Sequence, residues 1–227
     1  MKYAYRLGKA MMLPVACLPV AGLLMGIGYW MDPNGYGADC LPAAILMQAG
    51  SAMLNHMSIL FAAGVATGLA DEQDGTAALA GMAAWLLIQN ILTPAHVTIL
   101  TGGRTDPTSF WDIDNQMVGI FCGVMGAYCS NRYRNVQFST WLQVFSGRRM
   151  AIIAAIGYAV VFSLILLGVW PYFYELSVYM GKSLLGTGPI GAGIYMFLNR
   201  LMIPTGLHHA LNSVFWFDLA GISDLRN

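Results

Sequence analysis

The sequence predicts an all-α, polytopic membrane protein with about six transmembrane spans and additional interfacial amphipathic helices. Composition is the first reason. Of the 227 residues 57% are hydrophobic and 10% are charged, where a soluble domain carries about 25% charged residues. The second is the charge inventory: 11 basic and 11 acidic side chains are too few to clothe a water-soluble globule of this length. The third is the length of the uncharged stretches, since a helix needs about 20 mainly apolar residues to cross a hydrocarbon layer of about 30 Å.

Residues 10–31 carry no charge and form the first expected span. The basic start at residues 1–9 has the superficial look of a secretory leader. No small-residue cleavage site closes a short apolar core there, so the segment reads as a retained span. Residues 40–70 are also free of Asp, Glu, Lys and Arg, but Gly50, Ser51 and Asn55 interrupt their first part. Residues 41–56 are therefore expected to be interfacial or tilted and to lead into a span at 57–70.

A third span begins at residue 75 and is expected to end near Pro94. The fourth is placed at 116–131, where Gly119-x-x-x-Gly123 and Gly126 either admit a close helix neighbour or reflect the tolerance of lipid-embedded helices for glycine. The fifth, at 150–174, ends in Trp170, Tyr172 and Tyr174, read as an interfacial aromatic belt. Beyond Lys182, Gly186-Thr187-Gly188-Pro189 makes a turn that reopens an apolar run to Phe217.

Lys and Arg accumulate in the short cytoplasmic connections of membrane proteins. Lys2, Arg6 and Lys9 precede the first span, and Arg132, Arg134, Arg148 and Arg149 lie between the fourth and fifth, on the same side by this count. The opposite side receives residues 32–40, with no basic residue, residues 97–115 with only Arg104, and the loop around Glu175 and Lys182. The N-terminus is thus predicted to be cytoplasmic. Asp71, Glu72 and Asp74 fall on the cytoplasmic side too, and acidic residues say little about orientation. Between the arginines at 132–149, Val136, Phe138, Trp141, Leu142 and Phe145 suit either an amphipathic helix on the inner membrane surface or a plain loop.

Several function classes drop out. The balanced charge argues against nucleic acid as a partner, because a surface that binds its phosphates needs a surplus of Lys and Arg. Cys17, Cys40, Cys122 and Cys129 have neither CxxC nor His-flanked spacing, and no G-x-S-x-G or H-E-x-x-H pattern of a hydrolase occurs. No metal or cofactor is expected. Asn55, His56, Asn90 and His96 read as structural polar groups, and the 15 methionines as soft packing.

The polar chemistry gathers in residues 199–212, Asn199-Arg200-Leu-Met-Ile-Pro204-Thr205-Gly206-Leu-His208-His209-Ala-Leu-Asn212. Arg200 has 17 uncharged residues on each side, and a charge at membrane depth costs about 2.5–3.5 kcal/mol on insertion scales. Such a residue either faces a partner or wet cavity, or snorkels to the interface from a helix end. Pro204 and Gly206 are expected to break the helix and free backbone groups, as in the discontinuous helices of transporters. Arg200, Thr205, His208, His209 and Asn212 are the candidate ligand-binding residues. Adjacent histidines on a helix point about 100° apart, so the pair serves one site unequally or is simply packed. No further histidine or carboxylate stands at zinc-ligand spacing nearby.

Five motifs in order along the chain carry a family resemblance. They are Gly8-Lys-Ala-Met-Met-Leu-Pro14-Val-Ala-Cys-Leu-Pro19-Val-Ala-Gly22, Leu60-Phe-Ala-Ala-Gly64-Val-Ala, Asp74-Gly-Thr-Ala-Ala-Leu-Ala-Gly81, Phe145-Ser-Gly147-Arg-Arg149 and the 199–212 segment. Together they resemble the membrane component, enzyme IIC, of the glucose and N-acetylglucosamine branch of the bacterial sugar phosphotransferase system. The Ile-Pro-Thr-Gly-Leu-His form, with Phe215-Trp216-Phe217-Asp218 after it, is more similar to N-acetylglucosamine members than to glucose members.

The resemblance implies a sugar-translocating permease component of the bacterial inner membrane, working as a homodimer and presenting sugar to a cytoplasmic IIB domain or protein. It implies Arg200 and His208 at the sugar site, with His209 at a position that varies among members and Thr205 and Asn212 as further candidates. It also implies a dimerising scaffold over residues 1–180 and the opening of a sugar-binding region over 181–227. The family's Thr-Glu-Pro motif and the IIB phosphocysteine have no counterpart in these 227 residues. The expectation is therefore a truncated IIC, carrying no phosphorylated catalytic residue and unable to complete transport alone. The alternative is a transport-inactive half-protein that acts as a dimerising or regulatory module.

Overall fold

The computed structural model describes residues 2–33, 39–72, 74–111, 113–185, 193–194, 196–197 and 200–201. Among these the regular elements are all helical. In chain order they are α1 (Lys2–Val15), α2 (Cys17–Met31), α3 (Leu41–Asn55), α4 (Met57–Leu69), α5 (Gly75–Ile91), α6 (Pro94–Thr101), a 3-10 turn (Pro107–Phe110), α7 (Gln116–Tyr133), a second 3-10 turn (Thr140–Phe145) and α8 (Arg148–Leu185).

Tyr5–Met31 and Arg148–Leu176 are each long and apolar enough to cross a membrane. Two further crossings are available if each bent pair counts as one span: α3 with α4, bent by 58°, and α5 with α6, bent by 64°. α7, at the place of the expected fourth span, is 18 residues long. The sixth expected span lies almost wholly outside the described residues.

The bends have local causes. At His56 the backbone leaves the helical region, with φ −111° and ψ 30°, and α4 starts afresh. At Thr93 the residue before proline is pushed to an extended ψ of 140°, and Pro94 opens α6, where its missing N–H is harmless. Pro94 also denies a donor to the carbonyl of Asn90, four residues back. His96 Nδ1 lies 2.6 Å from that oxygen. A carbonyl only accepts, so this contact assigns the proton to Nδ1. α6 ends at Gly102 in the left-handed region, φ 59°.

The chain divides into two compact units, Met1–Ala83 with Gly119–Ala155, and Ala84–Val118 with Ile156–Asn227. In the first, α1 packs along α4 and α2 along α3. Met57, Phe61 and Val65 of α4 form its apolar centre, covered by Leu7, Met11, Leu18 and Ile120. α7 comes close to α4 and α5 through its small residues. A Cβ on Gly123 would stand 2.9 Å from the Ala62 carbonyl and 2.7 Å from Val65 Cβ, and one on Gly126 would stand 2.7 Å from Gly81 Cα. Gly119 abuts the backbone of Ser58. The glycine series therefore marks a backbone-to-backbone seam, the first of the two readings its spacing allows.

In the second unit, α8 runs through Pro171 to Leu185, past the expected end near residue 174. Trp170 corrects the aromatic-belt reading. It is 2% exposed, and its Nε1–H donates to the Ser109 carbonyl at 2.9 Å. Tyr172, 73% exposed, keeps the outward position expected of a belt residue. Gln89 Nε2 donates to the Ile113 carbonyl at 3.2 Å, and Asn115 caps α7 by accepting from Val118 N at 3.0 Å.

Residues 132–149 do not form the amphipathic helix that was one of their two readings. α7 stops at Tyr133, and a closed loop follows. Phe138 N donates to Ser146 Oγ at 2.9 Å, Gly147 N donates to the Val136 carbonyl at 2.8 Å, and Gly147 takes a φ of 70°. Serine and a left-handed glycine offer these backbone groups partners outside a helix, so the helix is not needed.

Two substitutions test this packing by thermal unfolding in detergent. Gly123→Val is expected to destabilise by roughly 1–3 kcal/mol through overpacking, whereas Gly22→Val, with nothing within 4 Å of its added Cβ, should leave the transition unchanged. Trp170→Phe strands the Ser109 carbonyl and should cost about 1–3 kcal/mol.

Candidate functional site

Of the five candidate ligand-binding residues, Arg200 alone falls among the described residues, in a helical, exposed position beside Leu201. Thr205, His208, His209 and Asn212 lie outside them, as do Pro204 and Gly206. What the structure does bring together is a charged cluster at one end of the first unit and a polar cleft in the second.

The cluster begins with Asp74, the residue before α5. Its Oδ1 accepts from Thr76 N at 3.2 Å and its Oδ2 from Thr76 Oγ1 at 3.3 Å, a helix-capping arrangement. Oδ2 also receives Arg134 Nη2 at 3.1 Å and Arg148 Nε at 3.4 Å. Arg134 makes a second ion pair with Glu72. Its side chain is 9% exposed, so the two carboxylates neutralise a largely buried cation; its Nη1 has no partner among the described residues.

Beside this group, Arg6 Nη2 donates to the Leu69 carbonyl at 3.3 Å and to Asp71 Oδ1 at 3.1 Å. Asn131 Nδ2 donates to the same Leu69 carbonyl at 3.3 Å while its Oδ1 accepts from Asp71 N at 2.9 Å. One end of the unit thus ties the start of α1, the connection 70–74, the end of α7 and the start of α8. Its charges pair with one another, so the cluster fastens helices. Among the described residues no group of three or more His, Cys, Asp or Glu is placed to hold a metal ion.

Sequence reasoning set Asp71, Glu72 and Asp74 aside because carboxylates do not report orientation. A signal was present: Asp-Gly-Thr directly before an apolar run is a helix start.

The cleft in the second unit is an open cavity of about 580 Å³ lined by Asp106, Thr108, Ser109, Tyr172, Tyr174, Glu175, Leu176 and Tyr179. Phenols, hydroxyls and two carboxylates dot a lining that is otherwise largely apolar, and none of the described residues lining it is basic. Asp106 caps the first 3-10 turn, accepting from Thr108 N at 2.9 Å. The backbone and side-chain hydrogen bonds from Thr108 hold its carboxyl below the usual value.

The resemblance motifs acquire physical roles in this arrangement. Pro14 of the first packs on Gly64 of the second, where an added Cβ would meet Pro14 Cδ at 2.7 Å. Asp74 of the third receives Arg148 of the fourth, and a Cβ added to Gly81 of the third would stand 2.7 Å from the carbonyl oxygen of Ala62, in the second. In the fourth, Arg149 Nη1 donates to the Val144 carbonyl at 3.1 Å.

The family described as "Phosphotransferase system, EIIC" matches residues 8–226. The chain is 34% identical over 220 residues to the PTS system N-acetylglucosamine-specific EIICB component of Bacillus subtilis, covering 96% of this chain and 43% of that protein. It is 35% identical over 214 residues to the N-acetylglucosamine-specific EIICBA component of Escherichia coli, covering 94% of this chain and 30% of that protein. With the N-acetylglucosamine-specific EIIC component of Streptomyces coelicolor it shares 30% over 222 residues, covering 96% and 53%. The chain therefore spans from about a third to about half of the length of these relatives. A match along almost its entire length, carried by motifs that pair with one another in the fold, establishes that this chain belongs to the EIIC family of the phosphotransferase system, whose members are integral membrane proteins.

Proposed function

We propose that the chain is the sugar-translocating EIIC component of a phosphotransferase permease and that its substrate is N-acetylglucosamine. The observation that carries this reading is what the matched relatives share. They are named EIICB, EIICBA and EIIC, and each matches over 94% or more of this chain while being named N-acetylglucosamine-specific. In this reading Arg200 and His208 donate hydrogen bonds to sugar hydroxyls or to the acetamido carbonyl, with Thr205, His209 and Asn212 as lesser contributors. A guanidinium suits the task because its planar fork of donors matches paired oxygens and never loses its charge.

Residues 1–180 serve as the dimerising scaffold and 181–227 open the sugar-binding region. A cytoplasmic IIB, joined to the chain or separate, supplies the phosphoryl group. The bacterial inner membrane is the proposed location, with the N-terminus in the cytoplasm. The charged cluster supports that orientation: Arg6 at the start of α1, the 70–74 connection, Arg134 and Arg148 are fastened to one another through Asp71, Glu72, Asp74 and Asn131, and the topology assigns all of these segments to the cytoplasmic side.

Uptake of labelled N-acetylglucosamine, in cells that lack their own permease for it and express this gene with its IIB partner, tests the assignment. Arg200→Ala should lower uptake about 10- to 100-fold through loss of a charged hydrogen bond. Wild-type cells that accumulate no label would refute the substrate, and an unchanged Arg200→Ala would refute the residue's role. Orientation is checked separately, after replacing Cys17, Cys40, Cys122 and Cys129 by serine. Arg104→Cys should react with a membrane-impermeant maleimide in intact cells, and Lys2→Cys only once the cells are permeabilised.

A further inference from the structure

Between Asp114 and Glu175 the sequence contains no acidic residue, yet it carries Arg132, Arg134, Arg148 and Arg149 around the closed loop of residues 136–147. The loop is a built object. Its neck is fastened by the Gly147 N to Val136 O and Phe138 N to Ser146 Oγ hydrogen bonds. Across its tip, Leu142 N donates to the Ser139 carbonyl at 2.8 Å and Ser146 N to the Gln143 carbonyl at 3.1 Å. Each backbone donor met in this way lowers the cost of bringing the tip against the apolar boundary of a membrane.

Among the polar Ser139, Thr140 and Gln143, four apolar side chains at that tip face outward. Trp141 is 96% exposed, and Leu142, Val144 and Phe145 are exposed with it. On the side toward α8 they leave a cleft of about 200 Å³ lined by Phe138, Leu142, Phe145, Met150 and Ile153. Directly before Met150 of that lining come Arg149, turned onto the Val144 carbonyl at 3.1 Å, and Arg148, 67% exposed and shared with Asp74. Arg148 also begins the apolar stretch Arg148–Leu176 that is long enough to cross a membrane. The cleft is therefore at the end of a stretch long enough to cross a membrane, and tryptophan and arginine are favoured at such ends.

We propose that residues 136–153 bind one anionic phospholipid, its acyl chain in the cleft and its phosphate on Arg149, with Arg148 beside it. The occupant follows from charge complementarity: the cleft takes hydrocarbon, two arginines precede Met150 of its lining, the segment itself holds no carboxylate, and Asp74, which touches Arg148, is also engaged by Arg134, leaving Arg149 as the principal phosphate donor. This site is independent of which sugar the protein carries.

The test uses the full chain in phosphatidylcholine nanodiscs containing increasing fractions of phosphatidylglycerol or phosphatidylcholine brominated in the acyl chains. Quenching of Trp141 is read as the difference between the wild type and Trp141→Phe. Brominated phosphatidylglycerol should half-quench Trp141 at a mole fraction lower by about fivefold for each arginine engaged. Arg149→Gln should shrink that preference by about fivefold. Ile153→Trp, which fills the cleft from α8 and leaves both arginines in place, should weaken the phosphatidylglycerol response; it is read with Trp141 replaced in a matching control. Equal curves for the two brominated lipids would mean that the loop merely dips into bulk lipid, and would overturn the site. So would no quenching of Trp141 by either lipid, the result expected if a protein partner covers the tip. A preference that survives both Arg149→Gln and Ile153→Trp would also overturn it.

Discussion

Burying the guanidinium of Arg134 requires acceptors, and the short connection between α4 and α5 supplies them. Glu72 and Asp74 meet it from one side, and Asp74 meets Arg148 as well. An unpaired cation in that position would carry a desolvation penalty of several kcal/mol. Once the pair forms, the end of α7 is fixed to the start of α5, and α8 starts from the same point. Asp74 is in addition the cap of α5, so a single carboxylate both begins one helix and fastens two others.

That fixed point matters because helices in lipid gain little from hiding apolar side chains from one another; tails are as apolar as leucine. Close approach and polar ties do the work. The seam of Gly119, Gly123 and Gly126 against Ser58, Ala62 and Gly81 gives the approach, and the Arg6, Asp71 and Asn131 contacts give the ties. Changes at either place should be felt at the other, since both set how α7 lies on α4 and α5.

Length and composition made the helices readable from the sequence, and proline and the polar run at Ser51 and Asn55 located both bends. Features that depend on a distant partner were not readable. Trp170 lies beside two tyrosines and reads as a belt residue, yet the Ser109 carbonyl, 61 positions away, draws it inward. The loop 136–147 has the composition of an amphipathic helix, but serine and glycine at its neck give the backbone other partners. The candidate sugar-binding residues rest on sequence and family, with Arg200 alone placed in the described structure. The pairing of Asp74 with Arg134 and Arg148 joins residues 60 and 74 positions apart, and neither separation leaves a periodic trace.

The contact of His96 with Asn90 carries one more consequence. The Asn90 carbonyl, which proline denies the amide of residue 94, is met by two other donors from beyond the break, the Thr93 amide at 3.4 Å and the His96 imidazole at 2.6 Å. The bend between α5 and α6 is thus spanned by a side chain of the second helix bonded to the backbone of the first. A break that proline opens is splinted by the helix that proline begins.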